Sequence, residues 1–149
     1  MDGVAERDLA RLLLEAQRAL GAEFVAMLEE RGYPDARPGH AALIMHIDRR
    51  SGTRLTDLAR RAHMTKQGMM LVVDDLQDRG YVRRVPDPED ARAKIIRLTA
   101  RGRRYVAEAR RTVAAIEATV RRELGDRRHE VLRGALEELI ESGGEPSEE

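Results

Sequence analysis

The chain has 149 residues, 36% of them charged and only 3% aromatic, with a formal net charge of zero and no cysteine. That length fits one ordinary domain with a real core, and the composition is that of a helix-rich chain packed with aliphatic side chains. Lack of cysteine excludes disulfides, thiol redox sensing and cysteine-ligated metal, and His40, His46, His63 and His129 include no i,i+4 pair of the kind a helical metal site favours. No apolar run approaches the roughly 20 residues that span a bilayer. The opening Met-Asp-Gly-Val-Ala-Glu also lacks the basic-then-apolar order of a signal peptide. A cytoplasmic protein without membrane contact, cofactor or metal is expected. Zero net charge argues at first against a nucleic-acid partner, but the distribution is uneven. Residues 53–101 hold eleven Lys and Arg against seven Asp and Glu, a net of +4 that the flanks cancel.

In residues 8–30, Leu9, Leu12, Leu13, Ala16, Leu20 and Phe24 recur at three- and four-residue steps, which predicts a helix with an apolar stripe. Gly32-Tyr33-Pro34 and Pro38-Gly39 break the chain. A second helix is predicted over residues 40–50, with Leu43, Ile44 and Ile47 inward, ending at Ser51-Gly52. A short helix over residues 57–62 follows, with Thr56 as its N-cap and Leu55, Leu58, Ala59 and Ala62 facing in. His63-Met64 forms a tight turn. Thr65 then caps a further helix to about residue 79, with Met69, Val72, Val73 and Leu76 as its apolar face and Gly80 as its stop.

After Gly80 the period changes. Residues 81–85 and 94–98 are short β-branched-rich runs, joined by a charged loop that contains Pro86 and Pro88, and they read as a β-hairpin. Thr99 caps a long helix in which Val106, Ala109, Val113, Ile116 and Val120 form a heptad-like seam. The seam reads as a dimer contact, with intrachain core as the alternative. Gly125-Asp126 interrupts it, and a last helix carries Val131, Leu132, Ala135, Leu136, Leu139 and Ile140. The tail from Gly143 reads as disordered. The fold class is therefore mainly α with a small β-hairpin (α+β).

Helix, tight turn, helix and hairpin, in that order, make a winged helix-turn-helix. Burying Met69, Val72, Val73 and Leu76 leaves Lys66, Gln67, Met70 and Asp74 on the outward face of the second helix, whose N-terminal end fits a major groove. There Gln67 can pair with adenine, Lys66 can reach guanine or phosphate, and Met70 and the Thr65 methyl can touch a thymine methyl. Arg92 on the hairpin tip suits a narrow minor groove, with Asp90 placed to orient its guanidinium. Arg83 and Arg84 suit phosphate contacts or salt bridges, and Lys94 joins the DNA-binding set. The plainer alternatives are solvated surface for Lys66 and Gln67, and an ion pair with Asp90 or Glu89 for Arg92.

Three stretches carry a resemblance: Leu55-Thr56-Asp57-Leu58-Ala59, Leu76-Gln77-Asp78-Arg79-Gly80-Tyr81-Val82, and Asp87-Pro88-Glu89-Asp90-Ala91-Arg92-Ala93-Lys94 followed by Leu98-Thr99 and Gly102. In their order and spacing the chain resembles the MarR family of bacterial regulators over nearly its whole length. The resemblance implies a homodimer formed by the terminal helices, residues 1–36 and 100–142, with residues 37–99 as the DNA-binding domain and 143–149 as a tail. It further implies a pseudo-palindromic double-stranded DNA operator, repression of transcription, and release by a small aromatic or anionic ligand. Two departures stand out: the family usually has a small hydroxyl residue at Met70 and often a basic one near Leu71, and Asp74-Asp75 follow here. These four residues suggest the alternative of a winged-helix protein-interaction module without DNA binding. An enzyme finds no support, because no nucleophile–base pair, glycine-rich phosphate loop or paired carboxylates are evident.

Overall fold

Asp8 opens the first helix, α1 (Leu9–Glu30), by accepting the Arg11 N–H at 2.8 Å, which satisfies one of the donors that a helix start leaves free. The computed structural model describes residues 8–143, so the expected tail lies outside the described residues except for Gly143. Contacts divide the chain into two units, Met1–Thr112 and Val113–Glu149.

In the first unit, α2 (Pro38–Ile44) is shorter than the expected helix over residues 40–50. Asp48 is the reason: its Oδ1 accepts the backbone N–H groups of Arg50 (2.9 Å) and Ser51 (2.7 Å), a local turn that competes with helix. Ile47 stays buried beyond the helix end. The chain then enters a strand the sequence reading did not contain, β1 (Thr53–Arg54). Directly from it starts α3 (Leu55–Arg61), so Thr56 lies inside the helix, and the N-cap position falls to Arg54 without a side-chain bond. His63 turns the chain with φ at +51°, and the Met64 N–H closes on the Ala59 carbonyl at 2.9 Å.

Thr65 caps α4 (Lys66–Asp78) as expected, its Oγ1 accepting the Gly68 N–H at 3.0 Å. Gly80 ends it at φ +79°, where L side chains rarely sit, with the Tyr81 N–H on the Leu76 carbonyl and the Gly80 N–H on Gln77, both at 2.9 Å. The hairpin strands are β2 (Val82–Pro86) and β3 (Lys94–Leu98). With β1 they form an antiparallel sheet of three strands in the order β1-β3-β2, rather than a two-stranded hairpin. Its register sets Thr53 opposite Ile96, and Val82 and Arg84 opposite Leu98 and Ile96.

Thr99 starts α5 (Ala100–Leu124): its Oγ1 accepts the Gly102 N–H at 3.0 Å, and its hydroxyl donates to the Gly80 carbonyl at 2.6 Å. A Cβ on Gly102 would stand 1.9 Å from the Tyr81 carbonyl oxygen, so only glycine lets α5 and β2 approach this closely. The core of this unit gathers Leu28, Ile44, Leu58, Met69, Val73, Leu76 and Ile96, all at most 2% exposed. Full burial of each such side chain is worth about 1.5–3 kcal/mol. Val106 and Ala109 are buried here within one chain, so two of the five positions of the expected seam are intrachain core. Most leucines of the α1 stripe face outward instead, including Leu9, Leu12, Leu13 and Leu20.

The second unit holds the end of α5 and α6 (Asp126–Gly143). Arg121 ties the two segments by donating to Glu130 at 2.7 Å and Asp126 at 3.3 Å. Val113, Val131, Leu132, Leu139 and Ile140 are exposed. No helix among the described residues is long and apolar enough to cross a membrane.

Candidate nucleic-acid interface

The 3.6-residue period of α4 buries Met69, Val73 and Leu76 and turns Thr65, Lys66, Gln67, Met70 and Leu71 outward. Thr65 spends its oxygen on the cap, which leaves its methyl on the surface. The side chains of Lys66 and Gln67 make no bond with other described residues. Met70 and Leu71 are 43% and 67% exposed, an apolar pair beside two polar readers.

Two of the three acidic residues of α4, Asp74 and Asp75, are held within the chain. Arg84, half-buried on β2, sends Nη2 to Asp74 Oδ1 at 2.5 Å and to the Met70 carbonyl at 3.4 Å, while its Nη1 donates to Gln77 Oε1 at 3.2 Å. The register explains the reach: Arg84 stands opposite Ile96, on the sheet face that packs against the core. The structure thus engages the Arg84 guanidinium with α4. Asp75 binds Arg79 at 3.0 Å and lies 3.3 Å from His40 Nδ1. Arg79 also donates to the Asp35 carbonyl at 2.9 Å, and Asp35 accepts the Tyr81 hydroxyl at 3.0 Å. Burial works to raise the Asp35 pKa, but the Tyr81 hydroxyl and Arg79 outweigh it and hold the carboxyl below its ordinary value. For His40, burial outweighs the pull of Asp75 and lowers the pKa, favouring the neutral ring. The Tyr81 ring packs 4.7 Å from Tyr105 and under the Arg101 guanidinium at 4.8 Å, and Tyr33 meets Tyr105 edge-on at 5.2 Å. All three tyrosines of the chain therefore brace the end of α4.

The hairpin tip is built on a buried carboxylate. Asp87 Oδ1 accepts the Glu89 N–H at 2.9 Å, and its Oδ2 accepts Arg54 Nε at 2.6 Å. The Glu89 N–H, with Arg54 adding to it, keeps the Asp87 carboxyl below its ordinary pKa despite burial. Asp90 supports Arg92 differently from the expected ion pair: its Oδ1 accepts the Arg92 backbone N–H at 2.9 Å, fixing the loop and not the guanidinium. Glu89 faces Arg54 at 3.4 Å. The exposed Arg92 side chain, like that of Lys94 opposite Pro86, has no partner among the described residues.

The structure thus brings Thr65, Lys66, Gln67 and Met70 together on one face of α4 and sets Arg92 and Lys94 on the hairpin. The sequence reading missed the Arg54–Asp87 pair, whose members stand 33 residues apart. Asp87 carried one available signal, an acidic residue between two prolines ahead of a charged loop. Arg54 carried none, since only the β1–β3 pairing brings it there. Among the described residues, no three His, Asp or Glu side chains converge as a metal site requires.

Residues 28–93 match the MarR family model. No curated protein matches the chain. Among solved structures, it is similar to the transcriptional repressor CouR bound to a 23-mer DNA duplex, with a TM-score of 0.78 at 24% identity over 89% of this chain and 92% of that one. It is similar to the MepR–DNA complex of S. aureus, with a TM-score of 0.80 at 19% identity over 92% and 99%. The PcaV regulator of Streptomyces coelicolor, in complex with its natural ligand, gives a TM-score of 0.76 at 21% identity over 94% and 99%. At these identities the likeness is one of fold, and the sheet of three strands beside α3 and α4 is part of it. Over residues 28–93, which hold most of the winged helix-turn-helix, the chain is similar to the MarR family.

Proposed function

We propose that the protein is a transcriptional regulator that binds double-stranded DNA sequence-specifically, as a homodimer on a pseudo-palindromic operator, and represses. The observation that carries this reading is a division of charge on α4. Asp74 and Asp75 are paired within the chain, whereas Lys66 and Gln67 stay free on the outward face and Arg92 stays free on the wing. Acidic side chains beside a phosphate backbone would oppose binding, and here Arg84 offsets Asp74 while Arg79, shared with Asp35, offsets Asp75 in part. Thr65, Lys66, Gln67 and Met70 read the major groove, Arg92 enters the minor groove and Lys94 meets phosphate. Arg84 acts as a brace between wing and helix. CouR and MepR, solved with DNA, support the reading, and PcaV supports a small ligand as effector.

The exposed leucines of α1 and the exposed Val131, Leu132, Leu139 and Ile140 of α6 support residues 1–36 and 100–142 as the dimerisation part around a DNA-binding part of residues 37–99. Such a regulator works in the cytoplasm and needs no catalytic step. The test is binding to DNA from the gene's own upstream region and to a selected random pool. Affinity is expected to fall steeply with salt, by about a thousandfold or more between 50 and 200 mM for six or more phosphate contacts. Sedimentation of the same sample should show a dimer. The exposed Met70 and Leu71 favour one other reading, a protein-interaction module, which becomes the better account if no DNA in either set is bound.

A further inference from the structure

A second concentration of cationic side chains lies away from α4 and the wing. The end of α2, the turn before β1, the last residue of α3 and the middle of α5 enclose a cleft of about 470 Å³, lined by Met45, His46, Arg49, Arg50, Arg61 and Arg110 among others. Four guanidinium groups from three parts of the chain thus share one concavity. Only one carboxylate lines it, that of Asp48, and it is already committed. Its Oδ1 accepts the N–H groups of Arg50 and Ser51 and the Ser51 hydroxyl, at 2.7–2.9 Å. Arg61 is anchored by donating Nη1 to the His46 carbonyl at 3.0 Å, which leaves its other N–H groups unused. Arg49, Arg50 and Arg110 have no ion-pair partner among the described residues.

Arg60, Arg111 and Arg121, by contrast, each hold a carboxylate at 3.3 Å or less. Asp48 sets one negative charge against four positive ones, and the excess of like charge repels, so an anion that bridges the guanidiniums relieves that repulsion. Guanidinium forks match the oxygens of a phosphate in a way that a single carboxylate cannot fill. The volume is that of a small-molecule site.

We propose that this cleft is a binding site for a small phosphate-bearing anion, held by Arg61 and Arg110 from opposite walls, with Arg49 and Arg50 closing over it from the turn. It is separate from the α4 face and the wing, and it stands whether or not the chain binds DNA. Arg61 is two residues before His63, the left-handed turn into α4, so an anion that draws Arg61 from the His46 carbonyl acts on the connection between α3 and α4.

The test is calorimetric titration of the full-length protein with inorganic pyrophosphate at fixed ionic strength, comparing wild type with Arg61→Gln, Arg110→Gln and the control Arg104→Gln on exposed α5 surface. Saturable binding of one anion per chain is expected, weakened about tenfold or more in each cleft variant and unchanged in the control. Circular dichroism checks folding, and Arg49→Gln in the exposed turn gives the same reading if a wall variant fails to fold. Binding that does not saturate, or is equal in all variants, overturns the site. The proposal also falls if Arg110→Gln weakens duplex binding tenfold while pyrophosphate affinity is unchanged, because the cleft would then be a contact to the DNA backbone. The titration contains no DNA, so its result is independent of the regulator reading.

Discussion

The outward face of α4 and the tip of the wing are both short, exposed and polar, yet they are held in opposite ways. On the wing, the backbone is tied by its own acidic side chains, Asp87 to Glu89 and Asp90 to Arg92, and Arg54 clamps the loop to β1. On α4 the outward side chains Lys66, Gln67, Met70 and Leu71 are free, and the restraint sits behind them in Asp74, Asp75 and Arg79. The wing presents one cation on a fixed loop, whereas α4 presents a changeable surface on a fixed rod. Preorganised backbone with free side chain tips is what groove reading requires, because ordering costs are then met in folding and not in binding.

The two regions share one foundation, and removing it should have the largest effect. Gly102→Ala sets a Cβ against the Tyr81 carbonyl and is expected to lower stability by about 3 kcal/mol or more, read as the urea midpoint. An unchanged midpoint would contradict the close approach of α5 and β2. Next comes the wing alone: Arg92→Ala should weaken operator binding about 10- to 100-fold, with helical circular dichroism unchanged. Full affinity in that variant would remove the wing from the interface.

Asp87→Ala should cost about tenfold in DNA affinity by loosening the loop, and little more when added to Arg92→Ala, since both act through one group. Additive losses in the double variant would give Asp87 a separate role. On α4, Gln67→Ala should weaken the preferred site about tenfold while leaving binding to random DNA nearly unaltered. Equal loss on both would make Gln67 a phosphate contact.

Acid should separate the two regions most gently. Burial depresses the His40 pKa, so the unfolded chain takes its proton more readily, and stability is lost as pH falls below the ordinary histidine value of about 6.5. The depressed Asp87 carboxyl stabilises fully above its ordinary value of about 4 and loses that contribution as pH falls further. The contact behind α4 is therefore expected to weaken first and the wing second. Thermal unfolding from pH 7 to 3 measures both steps, and persistence of the upper one in His40→Gln would break the assignment.

What could be read in the residues follows the range of the forces involved. The cap of α4 at Thr65, its stop at Gly80 and the start of α5 at Thr99 all depend on bonds a few residues long or on one glycine, and all stand as expected. The α2 end went astray because Asp48 captures N–H groups that a helix pattern would assign inward. The seam from Val106 to Val120 shows the limit of periodicity. Period alone marks an apolar stripe, but Val106 and Ala109 face their own chain while Val113 is exposed.

By itself the sequence determined the helices, the hairpin and the candidate readers Lys66, Gln67 and Arg92, because capping, turn chemistry and hydrophobic period act over neighbouring residues. Only the tertiary structure decided that β1 joins the sheet and brings Arg54 to Asp87, that Arg84 turns toward Asp74, and that Asp90 holds backbone instead of guanidinium. Those outcomes rest on strand register and on partners up to 33 residues apart, which no local pattern encodes.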